Sequence, residues 1–303
     1  MYFSAWANSA HPWTELRDFV ASVEAMGWDG FWYADHYMPN TPDGEPIGGN
    51  FHECFSVLSA LAATTSNIRL GSLVTPTTVN HPALIANRAA TIDQISNGRF
   101  VLGMGAGWQV NEHKAFGIEL FDAKARVDRF AEAIEIVVSM LSQERTTFNG
   151  QHFTITNAPC EPKPVQKPLP ILVGTGGARM LRLTARFAQE WNTWGTPDVA
   201  GGVIANLRTA CEKESRDFSS VRKSVQPLFF IVNDDASAEK LRAVVPADRS
   251  VVGTTSRLVD AVGQYKELGF DEICVPDFTM GQTPSERSEN YEKFWKEVAS
   301  QFR

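Results

Sequence analysis

The feature that most limits the fold is an alternation, repeated about eight times, between short apolar or β-branched runs and longer stretches with helical spacing. Parallel strands cannot be joined by tight turns, so an apolar run followed by a helix-patterned stretch reads as a βα unit laid around a parallel sheet. The runs fall at residues 2–7, 28–34, 68–74, 99–104, 169–173, 190–194, 224–232 and 270–275. After the first run, Leu16, Phe19, Val20 and Val23 recur at helical spacing over residues 13–26, and Gly27 supplies a stop. Further helices are expected from about Cys54, from Pro82, whose ring suits a first helical turn, and over 176–188. The expected fold is therefore α/β, a (β/α)8 TIM barrel running as a single domain over residues 1–303. Two stretches depart from the repeat and are expected as insertions. Residues 105–124, after strand 4, are glycine-started and polar, and residues 145–167, before strand 5, form a hairpin around Asn149-Gly150 and a proline-rich connection.

Charge and targeting signals narrow the class. The net charge is −7, from 28 Lys and Arg against 35 Asp and Glu, with no block of five like charges, so neither a nucleic-acid arm nor a polybasic membrane anchor is indicated. The start, MYFSAWANSAHPW, has no basic region followed by a long apolar core, and no window approaches the roughly 20 apolar residues of a membrane span. A soluble, cytoplasmic protein without nucleic-acid or membrane partners is expected. Cys54, Cys160, Cys211 and Cys274 lie far apart, which favours reduced structural thiols. His52, His81, His113 and His152 have no partner at metal-ligand spacing, so no metal is expected.

In such a barrel the chemistry sits where strands end and loops begin, at the C-terminal rim. That rule selects Asp35 and His36 after strand 2, Thr75 and Pro76 after strand 3, and Gly105-Ala106-Gly107-Trp108 after strand 4. It also selects Gly176-Gly177 after strand 5 and Asn192 and Trp194 around strand 6. Gly174-Thr175-Gly176-Gly177 leads straight from a strand into a helix, where free backbone amides and the helix dipole can hold a phosphate, or where the glycines only make a tight turn. Gly103, Gly105 and Gly107 alternate along strand 4, leaving one face bare for a flat ring. Asp35-His36 sets a carboxylate beside an imidazole, but neighbours in extended chain point opposite ways, so one residue is expected to face the ligand and the other the loop.

Several segments, taken in order, resemble one known family. They are Trp32-Tyr33-Ala34-Asp35-His36, Leu70-Gly71-Ser72-Leu73-Val74-Thr75-Pro76, Asn80-His81-Pro82-Ala83, Ser96-Asn97-Gly98-Arg99-Phe100 and Gly103 to Trp108. They continue through Asn111-Glu112-His113, Gly117-Ile118 and Gly174 to Gly177, ending with Glu190-Trp191-Asn192, roughly the first two thirds of the chain. Together they resemble the luciferase-like monooxygenase superfamily, especially its oxidoreductases that use the deazaflavin coenzyme F420. The resemblance implies a non-proline cis peptide at Ser72-Leu73 behind the central ring, ring and chain contacts from Asp35, Thr75, Ala106, Gly107 and Asn111, and a phosphate site of Gly176, Gly177, Arg179 and Met180. It implies His36 as the proton-handling catalytic residue and a small organic molecule as substrate. Coenzyme F420 is the expected cofactor, with FMN and a dioxygen-using monooxygenase as the alternative, and a flavin-binding protein without catalysis as a third. Arg88, Arg179, Arg182 and Arg186 are the basic residues available to the acidic tail of F420. A homodimer is the expected assembly. Three positions depart from the family pattern. Trp108 stands where the sugar-phosphate dehydrogenases carry an acid, Asn80 replaces an Arg, and Gln189 replaces an Asp.

Overall fold

Short apolar strands and amphipathic helices alternate through the computed structural model, which describes residues 1–303. The strands are β1 (Tyr2–Trp6), β2 (Gly30–Tyr33), β3 (Arg69–Ser72), β4 (Thr75–Pro76), β5 (Phe100–Gly105), β6 (Thr146–Asn149), β7 (Thr154–Ala158), β8 (Ile171–Gly174), β9 (Glu190–Thr193), β10 (Arg222–Val225), β11 (Leu228–Ile231), β12 (Ser250–Gly253) and β13 (Glu272–Pro276). Eight of them close a parallel ring in the order β1, β2, β3, β5, β8, β9, β10, β13 and back to β1. This is the (β/α)8 barrel that the repeat predicts.

The outer helices are α1 (Trp13–Met26), α2 (Cys54–Thr64), α3 (Pro82–Ser96), α4 (Val110–Phe116), α5 (Ala123–Ser142), α6 (Ala178–Phe187), α7 (Pro197–Lys213), α8 (Asp235–Arg242), α9 (Thr255–Leu268) and α10 (Pro284–Glu297). Local chemistry sets their ends. Helix α1 buries Leu16, Val20 and Val23 and stops at Gly27, whose φ of 87° returns its amide to Val23 and Glu24 carbonyls. Helix α3 starts on Pro82 with the His81 ring accepting from the Ala83 amide. One large core lies between helices and sheet, and a small one, Trp32, Leu73, Val101, Leu172 and Cys274, fills the barrel itself. Below it, Glu272 is fully buried and accepts from Ser4, Trp32 and Arg222. Burial works to raise this carboxyl, but Arg222, Arg69 and those hydrogen bonds hold it below its ordinary range. The floor is plugged, so a ligand can enter only from the opposite rim.

Three details differ from the sequence expectations. The seventh run, 224–232, is two strands, because Pro227 has no amide to continue the ladder: Gln226 N donates to Thr193 O, whereas Leu228 N donates to Arg249 O. Strand β11 thus leaves the barrel and pairs with β12, a strand that the periodicity does not show. The third run, expected to reach residue 74, ends at Ser72, and the non-proline cis peptide lies at Leu73-Val74 rather than Ser72-Leu73. Leu73 N still donates to Tyr33 O at 2.8 Å, so the ladder includes residue 73 and the irregular link follows it. The two expected insertions are present. Residues 105–124 carry α4, and β6 pairs antiparallel with β7, with Glu132 of α5 accepting from the Gln151, His152 and Phe153 amides. No helix is long and apolar enough to cross a membrane.

Candidate active site

The C-terminal strand ends surround a cavity of about 930 Å³. Its inner wall is the bulge Leu73-Val74, pushed inward between β3 and β4, with Gly105, Ala106 and Gly174 beside it. The glycines of β5 have a different task from the one that their spacing suggests. A Cβ on Gly103 would lie 1.9 Å from the Ser72 carbonyl oxygen, and one on Gly105 2.7 Å from a Val74 methyl carbon. They make room for the chain's own bulge, not for a ring directly, and the bulge in turn presents its surface to the cavity.

His36 and Asp35 divide as the extended backbone requires. The His36 ring faces the cavity, its Nδ1 3.2 and 3.3 Å from the two carboxylate oxygens of Glu112 on α4. Glu112 is buried and also accepts from the Tyr37 amide at 3.1 Å, so it fixes both the ring and the backbone next to it. No protein atom bonds Nε2, which is left for a ligand. The Trp108 ring stands edge-on to His36, centroids 5.4 Å apart. Asp35 points the other way. It is 1% exposed, and neither carboxylate oxygen has a hydrogen-bond partner. Thr75 Oγ1 and Thr77 Oγ1 are also buried without partners. Burial pushes the Asp35 carboxyl up to about 7, the nearby Thr75 hydroxyl opposing this and Glu53 adding to it. Near neutrality it is a carboxyl that can hold or release a proton.

The far end of the cavity is formed by Gly174, Thr175, Gly176 and Met180. The amides of Gly176, Ala178, Arg179 and Met180 make no backbone hydrogen bond, and an added Cβ on Gly176 or Gly177 would meet nothing closer than 3.5 Å. Open space over free amides at the start of α6 is what a phosphate requires. The basic residues expected nearby are engaged elsewhere: Arg179 pairs with Asp128, Arg182 and Arg186 with Glu214, and Arg88 donates to Asn80. The unpaired cation of the cavity is Arg249, which lies over the Trp194 ring at 5.5 Å, with Nε buried and without an acceptor. Burial lowers its pKa, against the opposing charge of Asp248.

Of the residues to which the resemblance gives a role, His36, Leu73, Ala106, Gly107, Gly176 and Met180 line this one cavity, as do Pro76, Gly105, Trp108, Asn192 and Trp194 from the rim rule. Asp35, Ser72 and Thr75 are buried behind its wall, and Ser72 Oγ donates to Gly103 O. Asn111 is fully buried and donates to Pro39 O at 2.7 Å, which ties α4 to the loop after β2. Gly177 caps α6, and Arg179 faces outward to Asp128. Sequence reasoning quoted Glu112 without giving it a role and missed Arg249. Glu112 is 76 residues from His36 along the chain, and Arg249 precedes the strand that periodicity hides.

The family model described as luciferase-like monooxygenase matches residues 1–246. An F420-dependent glucose-6-phosphate dehydrogenase of Beutenbergia cavernae is 32% identical over 299 residues, covering 87% of each chain. Another so named, from Microbacterium testaceum, is 36% identical over 185 residues, 61% of this chain and 53% of that one. The chain thus spans about half the length of some of the curated relatives it matches. A solved F420-dependent secondary alcohol dehydrogenase, in complex with an F420-acetone adduct, superposes with a TM-score of 0.83 at 16% identity, over 99% of this chain and 98% of that one, a likeness of fold. By the span of the family match, the chain belongs to the luciferase-like monooxygenase family.

Proposed function

We propose that the protein is an oxidoreductase that binds coenzyme F420 across the barrel mouth and moves a hydride between it and a small organic substrate. The observation that carries this reading is His36, held through Nδ1 by Glu112 with Nε2 open to a cavity of about 930 Å³. That volume is at the upper end for small-molecule sites and suits a cofactor ring, its phosphate-bearing chain and a second small molecule. The free amides at Gly176 and the start of α6 fit a phosphate. When bound, the deazaflavin supplies a two-electron carrier that accepts or gives one hydride. His36 Nε2 handles the accompanying proton at the substrate, and Glu112 fixes the ring that does so. Arg249 meets an anionic or acceptor group on the substrate, since no protein acceptor satisfies it.

The names of the relatives at 32% and 36% identity favour F420 over FMN. A fluorescence titration of the purified protein with F420 and with FMN tests the choice. Micromolar or tighter F420 binding is expected, and tight FMN binding with no F420 binding would replace the reading by a flavin-dependent monooxygenase. We infer too that the protein works as a cytoplasmic homodimer, and sedimentation gives the assembly.

A further inference from the structure

The walls of the cavity mouth carry aromatic surface that folding does not bury. Trp108 is 57% exposed, Trp194 43% and Phe278 37%, yet all three line the same cavity. Phe278 packs edge-on against Trp6 at 5.0 Å, and Trp108 edge-on against His36. The topology sets these rings across from one another. Trp6 ends β1 and Phe278 follows its neighbour β13, whereas Trp108 follows β5, four strands away from β13 around a ring of eight. Large apolar side chains gathered at one mouth, rather than scattered, mark a surface completed by a ligand.

The polar walls say what that ligand is not. Glu112 is the sole acidic residue lining the cavity, and its oxygens are taken by His36 Nδ1 and the Tyr37 amide. Gln109 donates to Met38 O and Asn192 to Ser224 Oγ, which commits one amide N–H of each, while Gln226 Oε1 is left as an acceptor without a partner. A polyhydroxylated substrate needs free carboxylates and amides to accept from its hydroxyls, because each buried hydroxyl without a partner costs binding. This mouth offers no free carboxylate and many ring faces.

We propose that Trp108, facing the Trp6–Phe278 pair, forms a slot that selects a flat, conjugated organic acid as substrate and disfavours a sugar phosphate. The anionic group goes to Arg249 and the planar body lies between the aromatic walls, which places its reactive carbon beside His36. This inference rests on the cofactor reading for the position of the ring, but the slot itself is made by protein.

The test is calorimetric titration of 2-naphthoate and of glucose 6-phosphate into the protein, both saturated with F420 and without it. Both probes are anions, so Arg249 attracts either and the comparison isolates the body of the ligand. Naphthoate should bind at least about ten-fold tighter than glucose 6-phosphate, a difference of about 1.4 kcal/mol. Trp108→Ala should weaken naphthoate by about ten-fold, and Trp108→Phe should retain most of the affinity, with the F420 dissociation constant changed less than about two-fold in both. Equal or tighter binding of glucose 6-phosphate, or naphthoate binding unchanged in Trp108→Ala, would overturn the slot. Failure of F420 to bind would instead remove the cofactor reading, while the cofactor-free titration still decides the slot.

Discussion

Replacing Asp35 by Asn should make the protein more stable at alkaline pH and change little in acid. The carboxyl is 1% exposed with both oxygens unpartnered, and burial raises its pKa from 3.8 to about 7. A raised carboxyl means that the folded state binds this proton more tightly than the unfolded chain does. Its contribution to stability therefore falls as pH rises from the unfolded value to about 7, and is level above that. At about 1.36 kcal/mol per pH unit, the two units between pH 5 and pH 7 amount to about 2.7 kcal/mol as an upper bound. Asn keeps the shape and removes the titration. Urea unfolding of both proteins at intervals from pH 5 to pH 8.5 isolates the site, since all other groups cancel in the difference. The variant should gain about 1 to 3 kcal/mol over the wild type across that range, and parallel stability profiles would refute the assignment of a protonated, buried Asp35.

Loss of the imidazole in His36→Ala should leave F420 affinity within about two-fold and cut turnover by about 10² to 10⁴, as expected for removal of a positioned acid or base. Unchanged turnover would remove His36 from the chemistry. Glu112→Gln should lower kcat by about ten-fold with F420 affinity within about two-fold, and an unchanged kcat would remove Glu112 as the group that positions His36. Gly103→Ala places a methyl group 1.9 Å from the Ser72 oxygen and should cost about 3 kcal/mol or more in urea unfolding. Gly202→Ala in α7, with nothing within 4 Å, should stabilise by about 0.5 to 1 kcal/mol, and a similar loss in both would show that the bulge does not set the requirement.

Much of the architecture is legible in the chain because hydrophobic period and βα alternation are local signals. Seven of the eight barrel strands coincide with apolar runs, β10 shares only Ser224 and Val225 with its run, and α1 begins and ends where Trp13 and Gly27 place it. The run 224–232 misleads because its composition stays apolar across Pro227, where the ladder must break. The site is legible only in part, for a related reason. The rim rule finds His36, Ala106, Gly107 and Gly176 because each follows a strand, but which partner each one meets depends on distant residues. Glu112 behind His36, Asp128 beside Arg179 and Glu214 beside Arg186 are all long-range pairings that no spacing reveals. The glycines of β5 show the same limit. Their alternation is visible, but that Ser72 and Val74 of this chain fill the space is a fact of tertiary structure.

The most direct test of the central claim is a crystal structure of the protein with F420 bound. The account predicts the ring against Leu73-Val74, its reactive face toward His36 Nε2, and the first phosphate on the amides at Gly176 and the start of α6. A ring bound outside the barrel mouth, or one with its phosphate at Arg249 and its reactive face turned away from His36, would contradict it.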